Sequence, residues 1–206
     1  DRGIGRLMDD LKRMGLYDQM LIVFTSDHGE PFGEHSGENQ IFYSDHGYDF
    51  YEEDVKVPLM VKYPQSNVTR EIRSPVSSID IVPTILDWCG IDIPDYIQGR
   101  VLSLKEDERV VVSEITLLKN SEKKMIIKGE KKTIVDMINP TSRTKIGKIK
   151  RYKTYNLASD PEESRQLKDG SLIPDLKKII SDSLLPGRKT KISDDTKRRM
   201  RALGYL

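Results

Sequence analysis

Cysteine occurs once, at Cys89, in a chain of 206 residues. That scarcity excludes an internal disulfide framework and any zinc cluster built from cysteine thiolates. An excess of one charge is missing as well, with 34 Lys and Arg against 33 Asp and Glu. No global field therefore recruits nucleic acid or an anionic membrane surface. No run approaches the ~20 apolar residues of a membrane helix, and the opening DRGIGRLMDD has no charged-then-apolar leader pattern. An initiator methionine is also absent: the chain opens at Asp1, inside a helical pattern. The expectation is a fragment whose leader and first part lie upstream.

Charge and histidine are present but unevenly placed. Residues 1–60 carry 5 basic and 13 acidic side chains, and residues 119–153 carry 12 basic and 3 acidic. An acidic region suits a divalent cation and a basic one could face an anionic partner, although solvated surface accounts for either. All three histidines, His28, His35 and His46, fall in SDHGEPFGEHSGENQIFYSDHGYDFYEE, which spells Ser-Asp-His-Gly twice.

Ile4, Leu7, Met8 and Leu11 recur at helical spacing, with Gly15 as a stop. The apolar run MLIVFT, Met20 to Thr25, then predicts a strand covered on both faces, and VPLMVKY a second, as in an α/β parallel sheet. SSIDIVPTILDWCG predicts a helix with Ser78 or Asp80 as cap, Ile79, Val82, Ile85 and Leu86 as its buried stripe, and Gly90 as its end. From about residue 108 the texture changes: RVVVSEITLL, KKMIIKG, KKTIVDM and RYKTYNL predict a small antiparallel sheet. Helices over 173–183 and from Ser193 to Gly204 close the chain. The domain expectation is a division into 1–107, part of an α/β domain, and 108–206, a small α+β subdomain.

Asp27 and His28 stand just beyond the first strand, where loops of an α/β sheet bind ligands. A carboxylate with an imidazole suits zinc, manganese or iron, and calcium when other oxygens complete the sphere. Two donors are too few, so further ligands must come from elsewhere in the fold. His46 could bind the metal, contact an anion or protonate a leaving group. A satisfied surface network of histidines and carboxylates explains the same residues.

The strings LIVFTSDHGEPFGEH and HGYDFYEEDVKVPLMVKYP resemble the sulfatase family of the alkaline-phosphatase-like superfamily, whose members read close to TSDHGE-x-x-GEH and YEE-x-x-x-VPL. SSIDIVPTILDWCGIDIPDYIQGRVL is similar to the family's DI-x-PT helix and QGRSL turn, with Val101 in place of Ser, and YNLASDPEESRQL resembles its DPEE segment. The resemblance implies an alkaline-phosphatase-like fold and hydrolysis of a sulfate ester to an alcohol and inorganic sulfate. It implies one divalent cation, calcium in a sulfatase and zinc or manganese in a phosphoryl-transfer relative, with Asp27 and His28 as metal ligands. His46 takes the position of the residue that contacts the sulfate and helps the leaving oxygen depart. Glu30, Glu34 and His35 match the motif without an implied role.

The family's nucleophile motif, Cys/Ser-x-Pro/Ala-x-Arg, and an Asp-Asp pair completing the metal site belong upstream, and Cys89 with its following Gly90-Ile91-Asp92 is not that motif. The chain thus looks like a C-terminal half, inactive alone, whose partners are the missing N-terminal half and a sulfate ester such as a sulfated carbohydrate. Phosphoryl or phosphonate ester chemistry, and a non-catalytic module docking an anion on residues 119–153, are the alternatives.

Overall fold

The computed structural model describes residues 1–35, 46–103, 108–117, 121–138 and 147–183, together with residue 198. Helix α1 spans Arg2–Arg13 and ends where Gly15 adopts a φ of 69°, the left-handed conformation a glycine stop provides. Strand β1 (Ile22–Thr25) follows, then the four-residue helix α2 (Glu52–Val55), strand β2 (Leu59–Lys62) and helix α3 (Ile81–Trp88). Strands β3 (Val110–Leu117), β4 (Ser121–Lys128), β5 (Lys131–Ile138) and β6 (Lys148–Asn156) form one antiparallel meander, and α4 (Ile173–Ser183) lies after it. None of the described helices is long and apolar enough to cross a membrane.

The α/β class, the small antiparallel sheet and the helix after it stand as expected. The pairing of the first two strands does not: β1 and β2 run antiparallel, Ile22 opposite Lys62 and Thr25 opposite Leu59. Parallel neighbours need a crossover of a dozen or more residues, usually a helix. Among the described residues between these strands the only helix is α2, four residues long.

Burial corrects two further expectations. No residue of β1 or β2 is fully buried, and Met60 is 59% exposed, so the strands are not covered on both faces by the described residues. In α3 the fully buried side chains are Pro83 and Thr84, while Ile79 and Val82 face outward. The inward face is polar because Asp80 and Thr84 hold the 99–102 turn. Asp80 accepts the Arg100 N–H and a two-pronged contact from Arg109, and the Thr84 hydroxyl accepts the Leu102 N–H. The helix expected from Ser193 lies outside the described residues.

The core belongs to the meander. On one face Met125, Ile127, Ile134 and Tyr155 pack with Phe50 and Tyr51. On the other, Ile126, Val135 and Met137 pack with Leu172, Leu176 and Ile180. The two-residue alternation of a strand separates these sets, and so residues 50 and 51 are seated on the sheet formed by residues 110–156.

Five lysines of the basic run are paired on the same sheet. Lys123 meets Asp49 and Asp136, Lys124 meets Glu122 and Glu114, Lys128 meets Asp175, Lys131 meets Asp169, and Lys132 meets Glu52 and Glu163. Neither open solvent nor an external anion is the principal partner of these described lysines. Most of their charge is answered within the chain.

Candidate functional site

Beyond the end of β1 the chain passes close against α2 at Gly29. Its N–H donates to the Asp54 carbonyl at 2.8 Å, and a Cβ built there would lie 1.9 Å from the Glu53 carbonyl oxygen. Only glycine allows the loop to approach α2 so closely. The approach fixes Asp27 and His28 on its solvent side.

His28 Nδ1 lies 2.7 Å from the Gly29 carbonyl, so the proton sits on Nδ1 and Nε2 keeps its lone pair. That carbonyl raises the imidazole pKa above its ordinary value, against an opposing effect of burial and with help from Asp27, Glu30 and Asp54. Asp27 Oδ1 accepts the His28 N–H at 3.2 Å, and Asp27 Oδ2 lies 3.7 Å from His28 Nε2.

His46 arrives from 18 residues downstream and stacks on His28, ring centroids 3.6 Å apart and planes 15° apart. Its Nδ1 lies 3.1 Å from Glu30 Oε2. The following Gly47 has a φ of 81°, and its N–H reaches Asp54 Oδ1 at 3.4 Å. Burial pushes the Asp54 carboxyl up, against that bond. Loops 26–30 and 46–47 are thus both tied to residue 54. Asp45 and Ser44 of the second Ser-Asp-His-Gly lie outside the described residues.

Of the three sequence-derived residues, His28 and His46 come together, and Asp27 stands beside His28 but outside their cluster. Glu30, which matched a motif without a role, joins His28 and His46 in a set whose ligand atoms all lie within 4.8 Å of one another. His35 does not join it. Its Nδ1 lies 2.5 Å from Glu53 Oε1 and its ring stacks on Tyr51 at 3.7 Å.

The donors fit a divalent cation. Asp27 Oδ2 and His28 Nε2, 3.7 Å apart, form a mixed oxygen and nitrogen donor pair of the kind that would hold such an ion. Both side chains are exposed, leaving room for further oxygen ligands.

What the sequence pattern did not single out is the support behind the site: Lys123, Lys132, Lys153 and Glu163. Lys123, Lys132 and Lys153 lie on the same face of the meander, and Lys153 Nζ donates to the Tyr51 hydroxyl at 2.6 Å. Their signal was available as charges at inward-facing positions of β-prone runs.

Residues 1–91 match the family model described as Sulfatase. Among curated proteins the chain is similar to an N-acetylglucosamine-6-O-sulfatase of Bacteroides thetaiotaomicron, 37% identical over 103 residues. That match covers 50% of this chain and 17% of the relative. Among solved structures it resembles a complex with the substrate D-glucosamine-2-N,6-O-disulfate, at a TM-score of 0.60 and 23% identity over 98% of this chain. It also resembles a phosphonate monoester hydrolase from Silicibacter pomeroyi, at a TM-score of 0.62 and 22% identity over 96% of this chain. The chain spans 38% of either solved chain, and at these identities the likeness speaks for the fold.

Proposed function

We propose, from the match of residues 1–91 to the sulfatase family model, that the complete protein hydrolyses a sulfate ester, releasing an alcohol and inorganic sulfate. Asp27 and His28 hold one divalent cation, calcium, with Glu30 beside them. When bound, the cation supplies positive charge for a sulfate oxygen and for the attacking group. His28 serves as a ligand because its Nδ1 proton is fixed on the Gly29 carbonyl, which leaves Nε2 for the ion. His46 faces the ester and neutralises or protonates the departing oxygen, with Glu30 orienting its ring. The nucleophile and the remaining ligands come from outside these 206 residues, so the chain by itself has no turnover.

The observation that carries this reading is the stacking of His28 on His46 beside Asp27, at the end of a strand. A sulfated carbohydrate is the substrate class, by analogy with the relatives' printed activities. A phosphonate or phosphate ester is the second reading, favoured by the likeness to the phosphonate monoester hydrolase. The anion-docking alternative on residues 119–153 is the less supported reading, since Lys123, Lys124 and Lys132 of that run are paired inside the chain.

The test is made on the complete protein, stripped of metal by a chelator and restored with calcium. An aryl sulfate should turn over faster than an aryl phosphonate, and His46→Ala should lower kcat on the sulfate by roughly 10²–10⁴-fold. Asp27→Ala and His28→Ala should weaken calcium binding instead. Hydrolysis of neither ester, or a His46→Ala enzyme with wild-type kcat, sinks the reading.

A further inference from the structure

Residues 49–54 have two faces with different partners. Toward the meander, Lys123 donates to Asp49 Oδ2, Lys153 to the Tyr51 hydroxyl and Lys132 to Glu52 Oε1. The Glu52 N–H donates to Glu163 Oε2 at 2.6 Å. Toward the site, the Asp54 carbonyl and carboxylate hold Gly29 and Gly47, and Glu53 Oε1 holds His35. Among the described residues, these contacts link the meander to the His28–His46 pair through one short segment.

Glu163 is an unusual means of support. It is 2% exposed, its φ is 50°, and its Oε1 sits 3.0 Å from Lys132 Nζ at ion-pair distance but off the line of a hydrogen bond. The turn that presents it is set by Asp160, whose carboxylate accepts the Ser164 and Arg165 N–H groups. A non-glycine residue at positive φ is strained, and a buried ion pair is often no more stabilising than an apolar pair of the same volume. Stability alone is a weak reason for this arrangement, whereas a fixed geometry at α2 is a sufficient one.

We infer that α2 and its preceding tyrosine form a bracket, and that His35 and Glu163 are positioning residues acting on the metal and His46 loops from its two sides. The inference rests on the reading of Asp27, His28 and His46 given above. His35 pins the far end of the 26–35 loop, by its bond to Glu53 and its stack on Tyr51. Glu163 holds the first N–H of α2 and, with Lys132, fixes where the bracket sits on the sheet.

The experiment uses the complete protein and three readouts: amide exchange of Gly29 without metal, calcium affinity by calorimetry, and kcat with KM for an aryl sulfate. His35→Ala and Glu163→Ala should each speed Gly29 exchange by about 10-fold or more, because the closed state that protects it is loosened. Calcium should bind about 10- to 100-fold more weakly, as for loss of other groups that orient metal ligands, with kcat falling and KM unchanged. His35→Asn keeps a donor for Glu53 and Glu163→Gln keeps an acceptor for the Glu52 N–H, and each should recover most of the loss. Folded alanine variants with wild-type Gly29 exchange and calcium affinity overturn the bracket. Should Glu163→Ala not fold, His35→Ala decides by the same criteria, since its side chain is 20% exposed and the Glu53 carboxylate it leaves keeps some contact with solvent. Altered Gly29 exchange in a protein that cleaves no sulfate would overturn the sulfatase reading and support the bracket.

Discussion

Gly29 carries more of the site's geometry than any residue that would touch an ion. With the Glu53 carbonyl 1.9 Å from the position of a Cβ, Gly29→Ala forces the loop off α2 and breaks the bond to the Asp54 carbonyl. Overpacking of this kind costs about 1–3 kcal/mol. Urea unfolding should show that loss, and calorimetry should show calcium affinity falling well beyond it in proportion. A Gly29→Ala protein of wild-type stability and affinity would mean that the close approach does not exist. At this scale the sequence offered candidates: Asp27, His28 and His46 could be proposed from residue chemistry and motif, since the capacity to bind a metal is a matter of residue type. Glu30 was seen without a role, because only the fold brings it to His46.

Elements were legible where alternation and turn chemistry act locally. All four strands of the meander stood out as β-prone runs, and the Lys128–Lys131 pairing is closed by Gly129, whose φ of 57° suits a two-residue turn. The direction of β2 was not legible, since an apolar run of four residues has no polarity of its own and is oriented by its partner. Nor was the inward face of α3, where apolar periodicity pointed to Ile79 and Val82 and the fold instead buries Asp80 and Thr84. Asp80 is fully buried against Arg109 and caps Ser77, so Asp80→Ala leaves a nearly buried guanidinium without its carboxylate. Removing one partner of a buried pair costs about 3–5 kcal/mol. A drop of that size in the unfolding free energy is the expected outcome, and a drop below about 1 kcal/mol would show the pair to be solvent-screened.

For the molecule as a whole, acid stability offers a test of the ion pairs around the meander. The bond from Lys131, with help from the Ser171 N–H, lowers the Asp169 carboxyl to about 2. An unfolded aspartate titrates near 3.9, so the stabilising contribution is fully present above that value and is lost as pH falls through about 2. Between those limits the folded state binds fewer protons than the unfolded one, and stability rises with pH. Asp169→Asn should therefore lower the melting temperature at neutral pH, with the difference from wild type closing as the pH is taken down to about 2. A difference that stays constant with pH would show that the charge of Asp169 is not what Lys131 holds.

The bracket also has a consequence in time. Glu52 must wait for Glu163, 111 positions later, before its N–H is capped. A ribosome adding 5–20 residues each second needs roughly 5–20 s to make that span. The loop proposed to hold the cation is thus translated early and shaped late, and a nascent chain would bring it to its final form only after the meander has emerged and closed over residues 49–54.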